Sequence, residues 1–192
     1  MCKNIFFKEK NIKLFNLFPK YKLNKNYLIK SVKPLHIAEN NDLSFFDSIK
    51  YKSQAANTKT GACLTTKSLE KFLPKHTQKI IVNNVLIELA NAIKKIFPDA
   101  DIDYPDFTLK KPNPKKYNSV KFGNNVLIGK NVKLGKNTLI GSNTIIEQNV
   151  IVGKDCVIGS NVIIKNTIIG DRVVLQDDCK IGQKGFGFIP IK

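Results

Sequence analysis

The chain has 192 residues, enough for one domain or two small ones, and its 42% hydrophobic content supports a buried core. No apolar run reaches about 18 residues, which excludes a transmembrane helix, and the Lys-interleaved N-terminus MCKNIFFKEKNIKLFNLFPKYK lacks the apolar region and small-residue cleavage site of a signal peptide. Basic residues outnumber acidic ones by 32 to 15, yet Arg172 is the one arginine, so bidentate nucleic-acid recognition is not expected and attraction to an acidic protein or anionic lipid headgroups fits better.

Residues 1 to about 27 are basic and amphipathic, with Phe6, Phe7, Leu14, Phe15, Leu17 and Phe18 apolar. A helix through part of this stretch is expected to end at Pro19. Strands are expected at Tyr27–Val32, Leu43–Phe46, Gly61–Thr65 and Lys79–Val82, with a short helix over residues 48–57. A longer helix over Val85–Phe97 places Val85, Leu86, Leu89, Ala92, Ile93 and Ile96 on one face. Strands alternating with helices indicate a small α/β domain over residues 1–97. Pro98, Pro105, Pro112 and Pro114 then mark residues 98–117 as a linker.

From Phe122 onward an apolar residue followed by glycine returns almost every six residues, as in Ile128-Gly129, Leu134-Gly135, Ile140-Gly141, Val152-Gly153 and Ile158-Gly159. Eight of the 11 glycines lie in this lane. The lane continues through Ile146-Glu147, Ile164-Lys165 and Leu175-Gln176 without glycine. A second lane of small or β-branched residues runs two positions earlier, from Val120 to Cys179. A third lane, Asn125 to Asn161, is Asn or Asp.

Six is not a helical period, and two apolar residues two apart share one face of a strand. Each unit is therefore a very short strand and a corner. Gly, Asn and Asp tolerate the left-handed backbone of a sharp corner, and the glycines are read as marking the bends. Such units must wrap and stack, at about 18 residues per three-sided coil and about 4.8 Å between coils. The five-residue step from Ile164 to Ile169 shortens one corner near Asn166. Cys179 then stacks on Val162 and Val173 on Cys156, so the two cysteines lie on different faces as small core residues. The four cysteines show no metal-like spacing, and a reduced, cytoplasmic protein without a bound metal is expected.

This pattern resembles the hexapeptide-repeat acyltransferases, whose fold is a left-handed parallel β-helix; the handedness is the family's. The fold expected is a small α/β domain followed by that β-helix over residues 118–192. Two further elements narrow the resemblance. Ser44-Phe45-Phe46-Asp47-Ser48-Ile49-Lys50-Tyr51 resembles the Ser-Phe-Leu-x-Asn-Pro-Lys-Tyr element of the UDP-3-O-acylglucosamine N-acyltransferases of lipid A biosynthesis. Ile181-Gly182-Gln183-Lys184-Gly185-Phe186-Gly187-Phe188 resembles their Ile-Gly-x-Asp-Gly-Phe-Gly-Phe loop, with Lys184 in place of Asp.

The resemblance implies that Phe45 and Tyr51 hold a uracil ring and that Ser48 stands where an Asn helps to bind the nucleotide. Serine offers a hydroxyl but not the amide's paired donor and acceptor. From the residue pattern alone, Phe45 reads as a core strand residue and Tyr51 as a packed helix residue. Gly185, Phe186 and Gly187 fall on the family's active-site loop, where the glycines supply unusual backbone angles.

The reaction implied moves a 3-hydroxyacyl group from the phosphopantetheine arm of acyl carrier protein to the 2-amino group of UDP-3-O-acyl-glucosamine, in a homotrimer. A histidine suits the general base. In the family it lies beyond the position of Lys192. His36 and His76 read as a packed and a solvated side chain, so no catalytic residue is assigned. The chain is expected to be the N-terminal portion of such an enzyme, inactive alone and a poor trimer. The alternative is a non-catalytic UDP-sugar-binding or scaffold β-helix protein.

Overall fold

The computed structural model describes residues 5–100 and 102–185. Over these the chain forms two compact units, one of residues 7–102 and one of residues 103–185 together with Ile5 and Phe6.

The first unit opens with β1 (Ile12–Lys13) and the one-turn helix α1 (Leu14–Leu17), which stops at Phe18, ahead of Pro19. The strand expected over Tyr27–Val32 is broken at Lys30 into β2 (Leu28–Ile29) and β3 (Ser31–Val32). The break redirects the chain between two sheets. β2 pairs antiparallel with β1, whereas β3 joins a parallel sheet. That sheet continues with β4 (Asp42–Phe46), β5 (Ala62–Thr65) and β6 (Gln78–Ile81) in sequential order. Between β4 and β5 lie a 3-10 turn (Ile49–Tyr51) and α2 (Lys52–Ala56), and after β6 comes α3 (Val85–Ile96).

Period-two alternation divides this sheet into two faces. Leu43, Ala62, Leu64 and Ile80 pack with Val85, Ala92 and Ile96 of α3. Phe46 and Cys63 point the other way, into a cluster with Leu35, Ala55 and Leu73. Helix α3 starts cleanly because the Asn84 side chain accepts the Ile87 N–H at 3.1 Å. Its buried face is Val85, Leu89, Ala92 and Ile96; Leu86 and Ile93, expected on that face, are exposed. The sheet contacts a narrower stripe than six apolar positions would fill.

In the second unit, β7 to β17 are two-residue strands: Lys121–Phe122, Leu127–Ile128, Lys133–Leu134, Leu139–Ile140, Ile145–Ile146, Ile151–Val152, Val157–Ile158, Ile163–Ile164, Ile168–Ile169, Val174–Leu175 and Lys180–Ile181. They stack as three parallel sheets, β7-β10-β13-β16, β8-β11-β14-β17 and β9-β12-β15. This is the expected β-helix of hexapeptide repeats. Ile140 lies over Ile158, and after the short corner Ile158 lies over Leu175. The two inward lanes meet in one core, with Val132, Ile146, Val150, Cys156, Val162 and Ile164 fully buried. Cys156 and Cys179 are free and on different faces, as the register required.

The corners depart from the sequence reading. Left-handed backbone falls on the Asn/Asp lane, from Asn125 at φ 57 to Asn161 at φ 58, and continues through Asn166, Arg172 and Asp178. Of the described glycines only Gly182 has a positive φ, 77. The lane glycines from Gly123 to Gly159 serve close approach instead. A Cβ on Gly141 would sit 2.6 Å from the Gly159 carbonyl carbon. The bends are also tied coil to coil: Asn125 Nδ2 donates to Asn143 Oδ1 at 3.2 Å and Asn131 Nδ2 to Asn149 Oδ1 at 3.1 Å.

Residues 103–117, within the stretch expected as a linker, are bonded to the coils. Lys110 bridges Ile128 in antiparallel fashion, extending the sheet that begins with β8. Tyr117 is buried, and its hydroxyl donates to the Val132 carbonyl at 2.9 Å. Its ring meets Phe122 edge-on at 6.1 Å. These contacts cover the first coil, whose strand edges would otherwise be open.

Candidate functional site

Phe45 and Tyr51 lie at the carboxyl end of β4, the position where open parallel α/β sheets present ligands. Strand β3 reaches only Asp42 and Leu43, so at Phe45 the strand β4 forms the sheet edge. Phe45 is consequently half-buried. It lies in register with Leu64 and packs against the α3-side core. Tyr51 is 48% exposed, unlike the packed helix residue that its pattern suggests. The turn beneath it is closed by the Tyr51 N–H donating to the Ser48 carbonyl at 3.1 Å. Ser48 is extended, at φ −139, and its side chain makes no capping bond to the turn. Its hydroxyl is therefore not consumed by the element it starts.

The two rings are not in contact with each other; the ring pairs among the described residues are Phe18–Tyr21, Phe46–Phe72 and Tyr117–Phe122. Of these, Phe46–Phe72 holds up the same strand end, and the Lys52 ammonium lies 4.8 Å from the Phe72 centroid. At the base of β4, Asp42 is almost fully buried. Its Oδ2 accepts from Lys33 Nζ and from the Glu39 N–H, both at 2.8 Å. Pattern reading passed over Asp42 because a charged residue before an apolar run resembles a loop end. Burial pushes the nearby Tyr27 hydroxyl up to about 12.

On the solenoid, Gly185 is described, whereas Phe186 and Gly187 lie outside the described residues. The unusual backbone belongs to Gly182, where an added Cβ would overlap the Lys165 carbonyl oxygen; at Gly185 it would meet nothing within 4 Å. Next to Gly182 the glycine lane is broken by charge. Lys165 Nζ lies 3.2 Å from Glu147 Oε1 and 3.5 Å from Asp103 Oδ2. Desolvation pulls the Lys165 ammonium down, but hydrogen bonding and charge from Glu147 and then Asp103 outweigh it, and the net shift is upward. The sequence signal for this cluster was the pair of lane positions, Glu147 and Lys165, that lack glycine. The cluster ties Asp103 to the third coil. Asp106 does the same one coil earlier, accepting from the Gln148 N–H at 2.7 Å.

Both histidines, His36 and His76, belong to the first unit, so the solenoid residues 103–185 contain none. Cys63 is a buried free thiol whose pKa burial drives far above the ordinary range, which makes it a packing residue rather than a nucleophile.

Residues 26–95 match the family described as UDP-3-O-(3-hydroxymyristoyl) glucosamine N-acyltransferase. Residues 119–154 and 131–166 match bacterial transferase hexapeptide repeats. The chain is also similar to a UDP-3-O-acylglucosamine N-acyltransferase of Bradyrhizobium sp. (strain ORS 278), at 43% identity over 170 residues. That alignment covers 84% of this chain and 48% of the relative, so the chain spans about half the relative's length. The first match contains the Phe45–Tyr51 element and the second the stacked coils, so both parts of the chain are similar to what the UDP-3-O-acylglucosamine N-acyltransferase family and the hexapeptide transferases carry.

Proposed function

We propose that the first unit binds the uridine end of a UDP-linked acyl-glucosamine, within a cytoplasmic N-acyltransferase that takes its 3-hydroxyacyl group from acyl carrier protein. The observation that carries this reading is Tyr51: an aromatic ring 48% exposed at the carboxyl end of β4, inside the family match. Exposure leaves a ring face free to stack on a base. Half-buried Phe45 supplies the second wall, and the Ser48 hydroxyl a polar contact to the base. Replacing Tyr51 with alanine is expected to weaken UDP-N-acetylglucosamine binding at least about fivefold, whereas phenylalanine retains it. Calorimetric titration reads the difference. Because Tyr51 is exposed, its loss should leave the melting temperature in place. Equal affinity for the wild type and Tyr51→Ala removes the stacking assignment.

The chemistry needs the sugar amine to lose a proton as it attacks the thioester. No histidine of residues 103–185 is present to take it. A polypeptide of residues 1–192 is therefore expected to bind the sugar nucleotide without transferring an acyl group. N-acylated product formed from acyl carrier protein thioester by the purified chain would refute this. Assembly into a homotrimer has support in the outward-facing Leu139, Val157 and Val174. They stack in register on one sheet and are 42%, 42% and 60% exposed. Light scattering on the same preparation reports it.

A further inference from the structure

The β1–β2 ribbon has one face in the core and one in solvent. Ile12 pairs with Ile29 and Lys13 with Leu28, and the Leu14 N–H donates to the Tyr27 carbonyl at 3.0 Å. Leu14 and Ile29 are fully buried. The opposite face therefore presents Lys13, Leu28 and Lys30, with Phe15 beside them. Phe15 and Leu28 are each 41% exposed. The Phe15 backbone is tied to the residues just before β2, its N–H donating to Asn26 Oδ1 at 3.1 Å.

Charge is concentrated on the same segment. Residues 8–33 hold eight lysines and one glutamate, against 17 lysines and eight acidic residues in all of residues 7–102. Seven of that unit's nine net positive charges thus come from the ribbon and its flanks. Lys8, Lys10, Lys13, Lys20, Lys22 and Lys30 are exposed. The unit contains no arginine.

We infer that this ribbon face docks the protein on a lipid surface bearing anionic headgroups. Lysines act there as point charges that need no fixed geometry, and each one near the surface multiplies partitioning about fivefold. Phe15 and Leu28, flanked by Lys13 and Lys30, reach the headgroup boundary, where apolar side chains leave water. A nucleic acid or an acidic protein would use the charge but gain little from the apolar pair. The inference is independent of the sugar-nucleotide reading.

Vesicle flotation with residues 1–192 tests it, using zwitterionic vesicles and vesicles with about 30% phosphatidylglycerol. Binding is expected to the anionic vesicles only, and to fall steeply as salt rises. Lys13→Glu/Lys30→Glu should lower it by more than about tenfold. Phe15→Ser/Leu28→Ser, which leaves the charge unchanged, should lower it severalfold. All four positions are exposed, so circular dichroism melts of both variants should match the wild type. Absence of anionic-vesicle binding overturns the proposal. So does full binding by the Phe15/Leu28 variant, which would reduce the face to a charge patch suited to a soluble acidic macromolecule.

Discussion

Gly141→Ala is expected to lower the thermal midpoint of the solenoid by about 10 °C or more, while Gly170→Ala leaves it within about 2 °C of wild type. The two glycines occupy the same lane, and neither has a positive φ. Their surroundings differ. At Gly141 a Cβ would lie 2.6 Å from both the Gly159 carbonyl carbon and the Ser160 nitrogen. These are backbone atoms of the next coil and cannot swing aside. The coil is also held there by the Gly141 N–H, which donates to the Ile158 carbonyl at 2.8 Å. Room for a methyl group opens only by stretching that ladder, at a cost of about 2–4 kcal/mol. At Gly170 the same methyl group meets nothing within 4 Å. Alanine there narrows the unfolded ensemble and is neutral or mildly stabilising. Circular dichroism melts separate the cases. Equal loss at both positions would mean that the glycines are selected for backbone freedom rather than for coil spacing.

Asp42→Ala is expected to destabilise the first unit by about 2–4 kcal/mol. The Asp42 carboxylate is 5% exposed and satisfies both the Lys33 ammonium and the Glu39 N–H. Alanine leaves that ammonium, itself 17% exposed, without its anion, and leaves an amide without its acceptor. The damage falls at the start of β4, the strand that carries Phe45 and leads to Tyr51, so sugar-nucleotide affinity should fall with stability. Lys33→Met alone keeps the amide bond, and Asp42→Ala/Lys33→Met removes the stranded charge. The double variant should therefore be more stable than Asp42→Ala. Urea unfolding of the four proteins gives the coupling. A cost below about 0.5 kcal/mol for Asp42→Ala would show that water reaches the ammonium freely.

How much was legible depended on how local the cause was. The six-residue period fixed the inward lanes and the register, down to Cys179 over Val162, because a repeat that cannot bury its own face has to stack on its neighbours. The central strands of the first unit, β4 to β6, were also readable as short apolar stretches separated by polar and helical segments. Tyr51 was not. Its place in a short helical segment suggested packing, but α2 buries only Ala55, and the ring stays in solvent. Nor could the pattern distinguish the stripe of α3 that meets the sheet from Leu86 and Ile93 beside it, since all six are apolar.

The sequence by itself determined that the chain has a small α/β part and a three-sided solenoid, where the solenoid's shortened corner falls, and which family's elements it carries. All of these follow from the order and spacing of side chains along one segment. Only the tertiary structure decided that asparagines make the bends while glycines set the coil spacing, that residues 103–117 cover the first coil, and that Lys165 gathers Glu147 and Asp103. Each of those depends on what a neighbouring coil places within a few ångströms, and no single repeat contains that information.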